Sequence, residues 1–162
     1  MDYVNADTIA EGLSAFEPRG AAIEAGRVML RRTRTLTEQR RTFAFESTLS
    51  GRTPARWIDF AKREGFEFHL LFLWLESSKL AIERVTERAR RGGHDVAEEV
   101  IRRRYRMGIR NFFRIYQPLA ETWTVYDTSA TVAPYLIADG ESDSAPMIHQ
   151  PDVWQKLCEA AK

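Results

Sequence analysis

The sequence predicts an α/β fold built on a mostly parallel sheet. Strand-sized and helix-sized segments alternate along the whole chain. Residues 66–75 begin with alternating polarity and then run continuously apolar, as strands covered on both faces do. Ile101, Tyr105, Ile109, Phe112, Phe113, Tyr116 and Leu119 recur at helical steps along one long segment.

Taken in order, residues 3–7 read as a short strand ending in a polar turn. Pro18 suits the first turn of a helix running to about Gln39, with Ile23 and Leu30 at helical spacing. Residues 42–45 form a compact strand that ends at Glu46. Residues 52–64 read as a helix, with Pro54 in its first turn and Gly65 as its stop. The strand over 66–75 follows, and Ser77 and Ser78 cap a helix to about Arg91. Gly92-Gly93-His94-Asp95 breaks that helix, and the long one then runs over 96–119. Residues 123–126 form another strand and 135–138 an edge strand. Residues 139–146 read as a solvated loop, and an amphipathic helix over 151–161 closes the chain.

With 162 residues and no linker or repeat, the chain reads as a single domain over 1–162. Its 44% hydrophobic and 29% charged content is that of a globular protein. No apolar run approaches the roughly 20 residues that span a bilayer, and the first residues lack the pattern of a secretory signal. The single cysteine, Cys158, forms no internal disulfide. These features predict a cytoplasmic protein with no membrane partner. A net charge of +1, from 24 Lys+Arg against 23 Asp+Glu, predicts no nucleic-acid partner. The arginines are nonetheless clustered, at Arg31-Arg32, Arg40-Arg41, Arg88-Ala89-Arg90-Arg91 and Arg102-Arg103-Arg104.

Asp7, Glu46 and Asp127 each sit where a strand is expected to end. In open α/β sheets ligands bind outside the carboxyl ends of the strands. An acid there can hold magnesium or accept a proton from a substrate hydroxyl; it can equally cap a helix or form a turn. The segment Glu46-Ser47-Thr48-Leu49-Ser50-Gly51-Arg52 places a carboxylate, three hydroxyls and a guanidinium on one strand-to-helix connection. That suits an anionic ligand near the next helix N-terminus, and it also suits an ordinary capped loop. Arginines on both sides of the Gly92-Gly93 break can close over a triphosphate, or form a solvated helix pair with Glu87 and Glu99. No Cys/His spacing suits zinc, and Ser50-Gly51 is not part of a nucleophile elbow.

Several of these segments together resemble the zeta-toxin-like P-loop kinases. The matching runs are Val4-Asn5-Ala6-Asp7, Gly12-Leu13-Ser14-Ala15-Phe16 and Phe43-Ala44-Phe45-Glu46-Ser47-Thr48-Leu49-Ser50-Gly51-Arg52. Further along are Phe72-Leu73-Trp74-Leu75, Gly92-Gly93-His94-Asp95-Val96, Val100-Ile101-Arg102-Arg103-Arg104-Tyr105 and Tyr126-Asp127-Thr128-Ser129. Ser47 stands where the family has threonine, and Thr128 where it has asparagine. The resemblance covers about residues 3–139. It implies a P-loop kinase fold that uses ATP and Mg2+ to phosphorylate a hydroxyl of a sugar nucleotide such as UDP-N-acetylglucosamine, with an antitoxin protein as a possible partner. By position, Asp7 would be the base and Glu46 would help order the metal. Thr48, Ser50 and Arg52 would line the acceptor side. Arg88, Asp127 and Thr128 would lie on the nucleotide side, and Arg103 and Arg104 would reach the phosphates from a lid over 88–105.

The chain departs from the family in lacking a Gly-x-x-x-x-Gly-Lys-Ser/Thr loop. The backbone N–H groups of that loop hold the phosphates, and its hydroxyl binds magnesium. The resemblance therefore implies an N-terminally truncated kinase, missing its first, central strand and its phosphate loop. A translation start further upstream, a degraded remnant and a second chain supplying the strand are the three explanations. A non-catalytic, pseudokinase-like binding protein is the rival functional reading, and a nucleic-acid binder using the arginine clusters is the third.

Overall fold

The computed structural model describes residues 1–13, 18–91, 93, 96–130 and 133–162, and it leaves aside the side chains of 7, 11 and 18–23. The chain divides into two compact units, Met1–Ser47 and Thr48–Lys162. The architecture is mixed α/β, with a parallel sheet in one unit and a mixed sheet in the other.

In the first unit, β1 (Asp2–Val4) pairs in parallel with β2 (Phe43–Phe45), Val4 lying opposite Phe45. Two helices connect them, α1 (Ala6–Leu13) and α2 (Pro18–Glu38). The sequence reading extended the first strand to Asp7. Instead Asn5 ends it, because its side-chain carbonyl accepts from the Thr8 N–H at 3.3 Å and so starts a helix. Val4, Ala25 and Leu36 are buried here, together with Thr33 and Thr37. Both threonine hydroxyls are satisfied by donating to carbonyls one turn back, those of Met29 and Thr33. Arg40 closes α2 in the left-handed region with φ 55°, and the Arg41 N–H returns to the Leu36 carbonyl at 3.0 Å. The two oxygens of Asp2 then pair with Arg32 at 3.2 Å and Arg41 at 2.8 Å, tying β1 to the end of α2.

The second unit contains α3 (Thr53–Arg63), β3 (His69–Trp74), α4 (Ser78–Arg90), α5 (Glu98–Asn111), β4 (Thr122–Asp127), β5 (Tyr135–Glu141), β6 (Met147–Ile148) and α6 (Pro151–Ala160). Its sheet has the order β3-β4-β5-β6. Only β3 and β4 run parallel; β5 and β6 are antiparallel to their neighbours. A mostly parallel sheet was expected, and the difference lies in β5 and β6. The connection from Asp127 to Tyr135 is too short for a crossover, so β5 pairs antiparallel to β4. Of the loop expected over 139–146, residues 139–141 continue β5, whereas 142–146 are exposed and turn the chain, with Asp143 at φ 65°, into the antiparallel β6.

The core of this unit is aromatic. Phe112 stacks on Phe72 at 4.5 Å between ring centres and meets Trp123 edge-on, while Trp154 of α6 stacks on Trp123 at 5.8 Å. Trp123 also dictates Gly140 opposite it, where a methyl group would lie 2.7 Å from the indole ring. The expected helix to Leu119 is α-helical only to Asn111. A π turn over Phe112–Tyr116 and a short 3-10 turn over Gln117–Leu119 complete it. The wider turn lets Phe112 face the sheet while its neighbour Phe113 meets Trp154. Strand β3 is covered on one face only, since Leu71 and Leu73 are 60% and 58% exposed. Its apolar run reads as doubly covered, but the helices of this unit reach just the face carrying Leu70 and Trp74.

Candidate functional site

In the first unit, the carboxyl ends of β1 and β2 gather Tyr3, Asn5 and Glu46. Glu46 follows β2 directly, and one of its oxygens accepts from the Asn5 side-chain amide at 2.9 Å. The Tyr3 phenol also leans on Glu46, and that hydrogen bond holds its pKa above the ordinary value. Asp7 lies in the first turn of α1, two residues beyond Asn5, and its side chain is outside the described residues. Among the described residues, no group of three His, Cys, Asp or Glu side chains is arranged to hold a metal ion. Glu46 offers a single carboxylate, which suits Mg2+ only where phosphate oxygens and water supply the remaining ligands.

In the second unit the segment Thr48–Arg52 is clamped by α5 and the turn after it. Leu49 is buried with φ 54°, a left-handed conformation that a leucine adopts only under constraint. The constraint is visible. The buried Asn111 amide donates to the Leu49 carbonyl at 2.7 Å, and the Tyr116 hydroxyl donates to the Gly51 carbonyl at 2.6 Å. Burial pushes the Tyr116 phenol up from its ordinary value. Gly108 completes the clamp, because a methyl group there would lie 2.7 Å from the Thr48 carbonyl oxygen. Held this way, the Thr48 and Ser50 hydroxyls face each other at 2.8 Å and leave lone pairs and a proton for a ligand. Arg52 follows as the N-cap residue of α3.

The remaining expected site residues are placed differently. Arg88 is in the last turn of α4, around a hollow of about 330 Å³ shared with Arg84, Glu87, Arg91 and Gly93. Gly93 is needed there, since a methyl group would sit 2.9 Å from the Arg88 carbonyl oxygen that its own N–H bonds. Gly92, His94 and Asp95 lie outside the described residues. Arg103 and Arg104 are exposed on α5, whose middle is joined to the residue after β3 by a 2.8 Å bond from the Tyr105 hydroxyl to the Leu75 carbonyl. Asp127 and Thr128 serve the chain turn after β4. Asp127 accepts from the Ser129 N–H at 2.8 Å, and the Thr128 hydroxyl donates to the Trp74 carbonyl at 2.9 Å. Arg84 bonds the Thr128 carbonyl and so links α4 to this turn. Sequence reasoning missed Asn5, Gly108, Asn111 and Tyr116. For Gly108 and Asn111 the available signal was a glycine and an asparagine in a helical segment that between Glu99 and Gln117 is otherwise apolar, aromatic or basic.

No family model matches the chain, and no solved structure matches it. It is 32% identical over 102 residues to a protein of Haemophilus influenzae described as an uncharacterized protein, a match covering 63% of this chain and 73% of that one. On that similarity the chain belongs to the same family as the Haemophilus influenzae protein.

Proposed function

We propose that the chain is the acceptor and lid portion of a zeta-toxin-like P-loop kinase, transferring the γ-phosphoryl group of ATP to a hydroxyl of a sugar nucleotide such as UDP-N-acetylglucosamine. The observation that carries this reading is the clamped loop. A strained, buried Leu49 fixed by Asn111 and Tyr116 is costly as a mere connection, and it presents two hydroxyls and Arg52 together. Asp7 takes the acceptor proton, the acceptor oxygen bonds to the γ-phosphorus, and ADP leaves. Thr48 and Ser50 orient the acceptor. Glu46 contributes to a Mg2+ site whose other ligands are phosphate oxygens and water. Arg88, Arg103 and Arg104 neutralise charge on the phosphates, with Asp127 and Thr128 shaping the nucleotide side. Such a kinase works in the cytoplasm, where ATP and sugar nucleotides are found.

The phosphate loop is supplied by a strand–loop–helix segment that pairs with the open edge of β3. That edge has no strand partner among the described residues, and Leu71 and Leu73 stand exposed beside it. The same edge favours a second reading, a non-catalytic protein that docks an antitoxin-like partner there. Phosphoryl transfer from labelled ATP separates them. The 162-residue chain alone should show no measurable turnover. Extended upstream by a kinase strand and glycine-rich loop, it should phosphorylate the sugar nucleotide, and Asp7→Asn should slow it at least about 100-fold. Rapid turnover by the chain alone, or an active extended chain indifferent to Asp7→Asn, contradicts the proposal.

A further inference from the structure

A cleft lies between α3 and α5, and of the residues given roles in the reaction above only Arg52 lines it. It encloses about 620 Å³ and is lined by four arginines, Arg52, Arg56, Arg110 and Arg114, over a floor that includes the buried Ala55 and Asn111. The volume falls within the range of about 300–1,000 Å³ usual for small-ligand sites. Helical spacing creates the pattern. Arg52 and Arg56 stand one turn apart at the start of α3, and Arg110 and Arg114 one turn apart across the end of α5.

Several exposed arginines elsewhere pair with acids one turn away, as in Arg34–Glu38, Arg63–Asp59, Arg91–Glu87 and Arg102–Glu98. None of the four in the cleft has a carboxylate partner among the described residues. Asp59, the acid nearest in sequence to Arg56, is taken by Arg63. Residues 100–120 contain six arginines and no Asp or Glu. Like charges facing one concavity repel unless an anion enters, and a concave wall focuses their field. No side chain caps the first turn of α3, which lines the same cleft and adds its own partial positive charge. Asn111 keeps its amide on Leu49, so the floor is neutral and uncharged.

We infer that this cleft binds a compact oligophosphate of two or three phosphate groups, either free or as the tail of a nucleotide. Planar guanidinium forks match phosphate oxygens in pairs. Four forks exceed what a single phosphate or carboxylate can use. The inference does not depend on the kinase reading; Arg52 lines both sites, and Asn111 of the cleft floor also holds the clamped loop.

Isothermal titration of inorganic triphosphate into the 162-residue protein, at about 50 mM and about 300 mM salt, tests the site. Binding should be present at the lower salt and weaken at the higher. Arg110→Gln and Arg114→Gln should each weaken it about tenfold or more. Arg102→Gln, on the same helix outside the cleft, should not, and far-ultraviolet circular dichroism checks that each variant is folded. Parallel titrations with UDP and ATP show whether a nucleoside adds affinity. Absence of triphosphate binding at low salt overturns the inference. So does binding that survives both cleft substitutions, and so does binding of single-stranded oligonucleotides with none of triphosphate.

Discussion

Gly108 is the residue on which the candidate site turns. A side chain there would meet the Thr48 carbonyl at 2.7 Å, so Gly108→Ala must push the loop from α5 or bend the helix. We expect it to destabilise the protein by about 1–3 kcal/mol, even though alanine favours helices. Urea unfolding measures this, and a neutral or stabilising result would mean the loop does not lie where the clamp puts it. Asn111→Leu leaves the buried Leu49 carbonyl without its donor, at a similar cost of about 1–3 kcal/mol. Gly65 makes a different point. Its φ of 87° closes α3, with its N–H on Lys62 and that of Phe66 on Ala61. Gly65→Ala should cost about 1 kcal/mol without touching ligand binding. This stop was legible in the sequence, because a glycine after a helical run has one common use. The strain at Leu49 was not, since nothing about a leucine announces a left-handed backbone.

At the scale of elements, Glu121 acts as a latch. One of its oxygens pairs with Lys62 at the end of α3 at 2.6 Å, and the other accepts from the Phe68 N–H before β3 at 2.5 Å. Burial pushes this carboxyl up, but the Lys62 and Phe68 hydrogen bonds together outweigh it and hold the pKa below the usual value. The unfolded state therefore takes up the proton more readily. The stabilisation is fully present above the ordinary glutamate pKa of about 4.3 and fades as pH falls through the lower folded value. Urea unfolding across that acid range should show Glu121→Gln with a shallower decline than the parent protein. Equal slopes would mean that the latch is solvent-screened. Periodicity made α2, α3, α4 and α6 legible to within a few residues. It could not reveal the π turn, because Phe112 and Phe113 fit an uninterrupted helical stripe as well as a widened one. Asn5, which starts α1, was read as the polar end of a strand, since the same residue types serve caps and turns.

For the whole molecule, the alternation of strands and helices made an α/β architecture legible, whereas β6 is two residues long and carries no pattern. Of the expected site, the Thr48–Arg52 segment holds its residues in one constrained loop. Asp127 and Thr128 spend their polar atoms on the chain turn after β4. The central claim is that the clamped loop receives a sugar nucleotide. Isothermal titration of UDP-N-acetylglucosamine into the 162-residue protein, with Arg110→Gln and Arg114→Gln in the background to silence the arginine cleft, tests it most directly. The account predicts saturable binding that Thr48→Val with Ser50→Ala weakens about tenfold or more. No binding, or binding unchanged by those two substitutions, would contradict it.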